Sequence, residues 1–118
     1  MKYGNKKTNL DGVFFDSKKE ARRYAELKML QRAGVISDLE LQKEFELIPA
    51  QYENGDGKSK KTRGKCLERA VKYKADFCYY DNEKKQLVVE DTKGFKTKDY
   101  IIKRKLLLYL RGIRIVEI

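Results

Sequence analysis

Apolar and polar positions alternate with period two over residues 39–48, Leu39-Glu40-Leu41-Gln42-Lys43-Glu44-Phe45-Glu46-Leu47-Ile48, which predicts a strand that Pro49 ends. The same period runs over residues 69–80. There Val71, Tyr73, Ala75, Phe77 and Tyr79 share one face, and Lys72, Lys74, Asp76, Cys78 and Tyr80 share the other. Asp81-Asn82-Glu83 turns the chain into a third strand over 86–92, and 113–118 reads as a short final one. Helical spacing separates these runs. Asp16-Ser17-Lys18-Lys19-Glu20 opens a helix that extends to about Ala33 and stops at Gly34, with Ser17 and Glu20 matching an S-x-x-E capping box. A second helix covers 98–110, with Thr97 as its N-cap and Gly112 beyond Arg111 as its stop. Ahead of the first helix, Asp11-Gly12 between apolar flanks predicts a hairpin within residues 1–16. The order helix, strand, strand, strand, helix, strand fits one α/β domain over 1–118, a mixed sheet flanked by helices.

Residues 53–65 interrupt this patterning. They are rich in glycine and basic residues and carry no apolar side chain, so they predict a mobile loop between two strands. Gly57-Lys58-Ser59 imitates the end of a phosphate-binding loop, but the first glycine of that motif would fall at Tyr52, which rejects nucleotide binding there. Lys58, Lys60, Lys61 and Arg63 on such a tip suit either a nucleic-acid backbone or plain solvation. Charge adds to the first option: 28 Lys and Arg against 18 Asp and Glu give +10, which favours a polyanionic partner through phosphate neutralisation. No apolar run approaches the roughly 18 residues of a membrane span, and Met1-Lys2-Tyr3-Gly4 does not begin a signal peptide, so a cytoplasmic protein is expected. Cys66 and Cys78 lack zinc or redox spacing and read as free thiols.

Histidine is absent, which excludes Ser-His hydrolases, HEXXH metalloproteases and nucleases with an imidazole base. Hydrolysis in this chain must therefore run on carboxylates, lysine, tyrosine or a metal-bound water. Five acid-x-lysine triplets occur, but only Asp91-Thr92-Lys93 follows a buried-looking strand, Leu87-Val88-Val89, with acid and lysine on one face. Asp76, inside the strand before it, supplies a second carboxylate. Two carboxylates and an ammonium at neighbouring strand ends suit a Mg²⁺ or Mn²⁺ ion beside a phosphate. Glu20 lies on the apolar stripe of the first helix with Tyr24 and Leu27, so a carboxylate points inward and needs a cation. The plainer alternatives are that Glu20 only caps its helix, and that Asp76 and Asp91 only pair with Lys74, Lys93 or Arg69. Glu90 faces away from Asp91 and is set aside as a metal acid.

Those residues carry a resemblance. Over nearly its whole length, through Tyr3-Gly4-Asn5-Lys6-Lys7, Phe15-Asp16-Ser17-Lys18-Lys19-Glu20, Tyr73-Lys74-Ala75-Asp76-Phe77 and Val89-Glu90-Asp91-Thr92-Lys93-Gly94, the chain resembles the PD-(D/E)XK nuclease superfamily. It looks closest to a small phage- and prophage-encoded family, long catalogued as a domain of unknown function and regarded as such nucleases. The resemblance implies a restriction-endonuclease-like αβββαβ core and a Mg²⁺- or Mn²⁺-dependent endonuclease acting on branched, recombination or repair DNA in a bacterial host cell. Asp76, Asp91 and the Thr92 carbonyl would be metal ligands, Lys93 the catalytic lysine, and Glu20 an acid that binds metal directly or through water. Gln42 would approach the site. Ala75 stands where the family label has proline. Lys96, Lys98, Lys103 and Lys105 around the second helix are the DNA contacts to look for, with Arg104 beside them, or else a solvated face. A homodimer is what two coordinated strand cuts would require. The competing reading is a nucleic-acid-binding module without chemistry, using the basic loop and a stacking face of Tyr73, Phe77, Tyr79 and Tyr80.

Overall fold

The computed structural model describes residues 8–55 and 62–118, which form eight strands and two helices. Strands β1 (Thr8–Leu10) and β2 (Val13–Phe15) make the expected antiparallel hairpin. Its turn residues, Asp11 and Gly12, sit at φ 53° and 77°, the left-handed pair that Asp-Gly favours in a two-residue loop. Helix α1 (Lys18–Arg32) starts where its cap predicts, because the Ser17 hydroxyl accepts from the Glu20 N–H at 3.1 Å. Helix α2 (Lys98–Arg111) is built alike, with Thr97 accepting from the Tyr100 N–H and Gly112 closing it at φ 66°.

The strands depart from the sequence pattern in instructive places. Strand β3 (Ile36–Ile48) begins three residues early and contains Asp38 and Gln42 at φ 57° and 53°. Left-handed backbone at non-glycine residues costs on the order of 1 kcal/mol each. The residues expected to be one basic loop are bounded by a second small ladder, β4 (Gln51–Tyr52) against β5 (Cys66–Glu68). The second long strand, β6 (Val71–Asp81), therefore begins only after Arg69 and Ala70. Strand β7 (Gln86–Asp91) matches expectation to within a residue, whereas β8 (Val116–Glu117) keeps two residues of the run 113–118.

The main sheet has the order β3-β6-β7-β8. Strand β6 runs antiparallel to β7, from Phe77 opposite Glu90 to Asp81 opposite Gln86, and β7 runs parallel to β8, which makes the sheet mixed. Contacts divide the chain into two compact units, each discontinuous in sequence. One holds the chain up to Lys43, Ala75–Phe95 and Ile115–Ile118; the other holds Glu44–Lys74 and Lys96–Arg114. Both β3 and β6 contribute residues to each unit.

The first unit packs Ala21, Tyr24 and Leu27 of α1 against Phe15, Ile36, Phe77 and Tyr79, with the Phe15 and Tyr24 rings 5.0 Å apart. In the second unit Tyr73 stands between Phe45 and Tyr100, at ring separations of 6.5 and 6.1 Å. Both cysteines are free thiols, Cys66 exposed and Cys78 buried. Among the described residues no helix is long and apolar enough to cross a membrane.

Candidate metal and catalytic site

Strand pairing sets the two aspartates side by side. Phe77 faces Glu90 in the antiparallel ladder, so the next step of that register brings Asp76 opposite Asp91. Alternation then sends Phe77 and Glu90 to one face and the aspartates to the other. At this end of β7 the chain leaves the ladder, and Thr92 turns toward Asp76. Its backbone N–H and its hydroxyl both donate to Asp76 Oδ2, at 2.9 and 2.8 Å. With these two donors Thr92 holds the Asp76 carboxylate in place, a role separate from the carbonyl ligand that the resemblance implies for it.

Lys93 returns to the face of Asp91, and its Nζ lies 3.8 Å from Asp91 Oδ1, an ion-pair separation beyond hydrogen-bond range. Asp91 is 1% exposed. Its backbone oxygen accepts from the Ile118 N–H at 2.9 Å, which ties the strand end to the chain beyond β8.

Glu20 comes from the first turn of α1 and is itself buried. Its backbone N–H serves the cap while its side chain turns to Gln42, so the carboxylate and the cap coexist as separate roles of one residue. Gln42 Nε2 donates to Glu20 Oε2 at 3.4 Å and to Asp76 Oδ1 at 3.5 Å, both at the long end of hydrogen bonding. The left-handed φ of Gln42 accompanies this bridge, since a residue re-aimed out of regular alternation occurs where a strand is locally distorted. Burial, then the charges of Asp76, Asp16 and Asp91, push the Glu20 carboxyl up to about 7, while Lys93 pulls it down. Glu20, Asp76, Asp91 and Lys93 thus form one electrostatic cluster in which acid outweighs base.

The donor set fits a hard divalent cation. Mg²⁺ takes oxygen ligands, usually one or two carboxylates, and fills its other positions with water and phosphate oxygens. Among the described residues no three acids or thiols close into a cage that would hold a metal by protein alone. An open pair of neighbouring aspartates is the arrangement that leaves room for water and substrate.

The other expected contacts lie elsewhere. Lys58, Lys60 and Lys61 fall outside the described residues. Arg63 lies over the Tyr52 ring, 4.2 Å from its centroid. Lys96, Lys98 and Lys105 are exposed, and Lys103 pairs with Asp99 one turn earlier on α2 at 3.4 Å. The aromatic stacking face does not exist: Tyr73, Phe77 and Tyr79 are at most 6% exposed, leaving Tyr80 alone of the four accessible. They are core residues because a half-buried strand points its alternating apolar side chains inward.

Sequence reasoning missed the partners of Glu90. That residue is as buried as Asp91, and the Arg23 guanidinium grips it with two bonds, Nε to Oε1 at 2.8 Å and Nη2 to Oε2 at 2.6 Å. The Tyr79 hydroxyl also donates to Glu90 Oε2. The bond to Glu90 raises Arg23 above the usual guanidinium range, and burial raises the Tyr79 phenol. One signal was available: a glutamate at the end of the apolar run Leu87-Val88-Val89 requires a buried cation, and Arg23 lies one turn from Glu20 on the same helix.

No curated protein and no solved structure matches the chain. A family model does match, over residues 1–115, and the chain belongs to the family it describes, the protein of unknown function DUF1064.

Proposed function

We propose that this protein is a divalent-metal-dependent endonuclease that hydrolyses phosphodiester bonds in DNA, working in the cytoplasm of a bacterial host cell. The observation that carries the reading is the cluster of Glu20, Asp76, Asp91 and Lys93, drawn from α1, β6 and the end of β7, in which three carboxylates and one ammonium act on one another. Its resemblance to PD-(D/E)XK nucleases supplies DNA, branched DNA in particular, as the substrate, and the net charge of +10 agrees with a polyanion. Asp76 and Asp91 would hold Mg²⁺ or Mn²⁺, with Glu20 beside them binding directly or through water. An ion held there would supply an acidified water and charge neutralisation at the phosphate.

The residues divide the remaining work. Thr92 fixes the Asp76 carboxylate through two donors, and Gln42 holds it in reach of Glu20. Lys93 carries its ammonium beside Asp91, where it can orient the attacking water or offset charge developing on the phosphate.

The test is a panel of duplex, single-stranded, flap and four-way DNA, each with and without Mg²⁺, using the wild type and Lys93→Ala. The expected result is Mg²⁺-dependent cleavage that the variant loses while still binding DNA. Wild-type cleavage of no substrate, or full cleavage by the variant, would contradict the reading.

A further inference from the structure

Two residues on α1 and two on β7 are paired in a way the nuclease chemistry does not use. Glu20 and Arg23 lie one turn apart on the helix, and Glu90 and Asp91 are consecutive on the strand. Asp91 belongs to the site and Glu90 to the opposite face. Arg23 grips Glu90 with two parallel bonds at 2.8 and 2.6 Å, and Tyr79 donates a third to the same carboxylate. We infer that the Arg23–Glu90–Tyr79 network is a positioning device that sets how far the first turn of α1 stands from the end of β7, and thereby the spacing of Glu20 from Asp76 and Asp91. The inference rests on the nuclease reading for its purpose but not for its geometry.

The network acts by leverage. Consecutive Cα atoms are about 3.8 Å apart, so whatever fixes Glu90 fixes the backbone of Asp91. One helical turn rises about 5 Å, so whatever fixes Arg23 fixes the backbone of Glu20 nearly as well. A planar guanidinium holding a carboxylate by two bonds restrains orientation as well as distance, which a single ammonium bond does not. The Glu90 side chain is 2% exposed against 24% for Arg23, so water cannot readily replace the grip from the glutamate side. Elsewhere in the first unit α1 is held by apolar contacts, Ala21, Tyr24 and Leu27 on Phe15, Ile36, Phe77 and Tyr79, which are non-directional, by the Leu39 N–H donating to Gln31 Oε1 at 2.9 Å, about three turns from Glu20, and by the long bond from Gln42 to Glu20 itself. The third bond to Arg23, from Nη1 to Glu26 Oε1 at 3.0 Å, stays within the helix and leaves the rotamer pointed at the sheet.

A purely stabilising role must be separated from a positioning one. Replacing a buried ion pair by apolar side chains of similar length often leaves stability unchanged, so Arg23→Met combined with Glu90→Met removes the grip while keeping the unit folded. Arg23→Lys keeps the charge and removes the two-pronged geometry. Two readouts apply to both variants, with folding checked by thermal melting: Mn²⁺ affinity by titration calorimetry, and the side-chain amide resonances of Gln42, which bridges Glu20 and Asp76. The expected result is a loss of Mn²⁺ affinity of about tenfold or more, as for other partners that orient metal ligands, together with displaced or broadened Gln42 amide signals. Adding Glu20→Gln should then cause no further loss, because the network acts through that residue. A folded double variant with unchanged Gln42 signals would overturn the inference. Should the wild type bind no Mn²⁺, the nuclease reading fails, and the Gln42 resonances still decide the positioning role.

Discussion

Glu90 and Asp91 are neighbours on one strand, equally buried at 1% exposure, and their surroundings could hardly differ more. Glu90 receives a guanidinium through two bonds and a phenol through a third. Asp91 meets a lysine at ion-pair distance and shares its surroundings with Glu20 and Asp76, two further acids. Burial alone therefore does not mark a site. What distinguishes the two is their company: Glu90 is gripped by a guanidinium and a phenol, whereas Asp91 stands among further carboxylates, close enough that its charge helps raise Glu20. The first arrangement holds a helix to a sheet. The second suits a cation that comes from solution.

The contrast can be broken most sharply at Asp91. Asp91→Asn should reduce Mg²⁺-dependent DNA cleavage on the order of a thousandfold, since charge stabilisation by a metal contributes several kcal/mol to the transition state. Melting the same variant without metal should show no loss of stability, because an acid has left a crowded acidic cluster. Glu90→Ala should do the reverse in stability. Leaving Arg23 and Tyr79 without their shared acceptor costs about 3 kcal/mol, readable in urea unfolding.

A third prediction concerns pH. The Glu20 carboxyl is raised from 4.5 to about 7, so between those values the folded protein binds more protons than the unfolded chain. Stability therefore falls as pH rises through that window and levels off above it, by about 3 kcal/mol in total. Metal-free Glu20→Gln should lack that decline and melt higher than the wild type at pH 8. Mg²⁺ sharpens the comparison from the other side. At about a hundredfold excess over its dissociation constant it should stabilise the wild type by about 2.7 kcal/mol and Asp91→Asn hardly at all. The smallest effect is at Tyr79→Phe, where loss of one donor to Glu90 should cost about 1 kcal/mol in unfolding free energy and leave the Mg²⁺ response in place.

Much of this was legible in the sequence, for reasons that are local. Ser17, Thr97, Gly34 and Gly112 mark helix ends through their own backbone and side-chain chemistry, and Asp11-Gly12 encodes its turn. Asp76 and Asp91 were legible because strand alternation assigns faces, and Glu20 because helical spacing does. What the sequence hid was non-local or irregular. Asp38 and Gln42 adopt left-handed backbone with no glycine to announce it, so neither the early start of β3 nor the bridge from Gln42 could be read from periodicity. The β4–β5 ladder is two to three residues a strand, too short for a period to register. The run 113–118 keeps only Val116–Glu117 in the sheet, since pairing length is set by the neighbouring strand end and not by propensity. The roles of Arg23 and Thr92 depend on partners 67 and 16 residues away; the burial of Glu90 calls for a cation, but the fold is what selects Arg23 and turns Thr92 to Asp76.

The most direct measurement is a crystal of the protein grown with Mn²⁺, with the anomalous scattering of the ion used to locate it. The account predicts a peak within coordinating distance of one oxygen from Asp76 and one from Asp91, with the Glu90 carboxylate still gripped by Arg23. A protein saturated with Mn²⁺ whose ion lies away from both aspartates, or whose aspartates bind none, would contradict it.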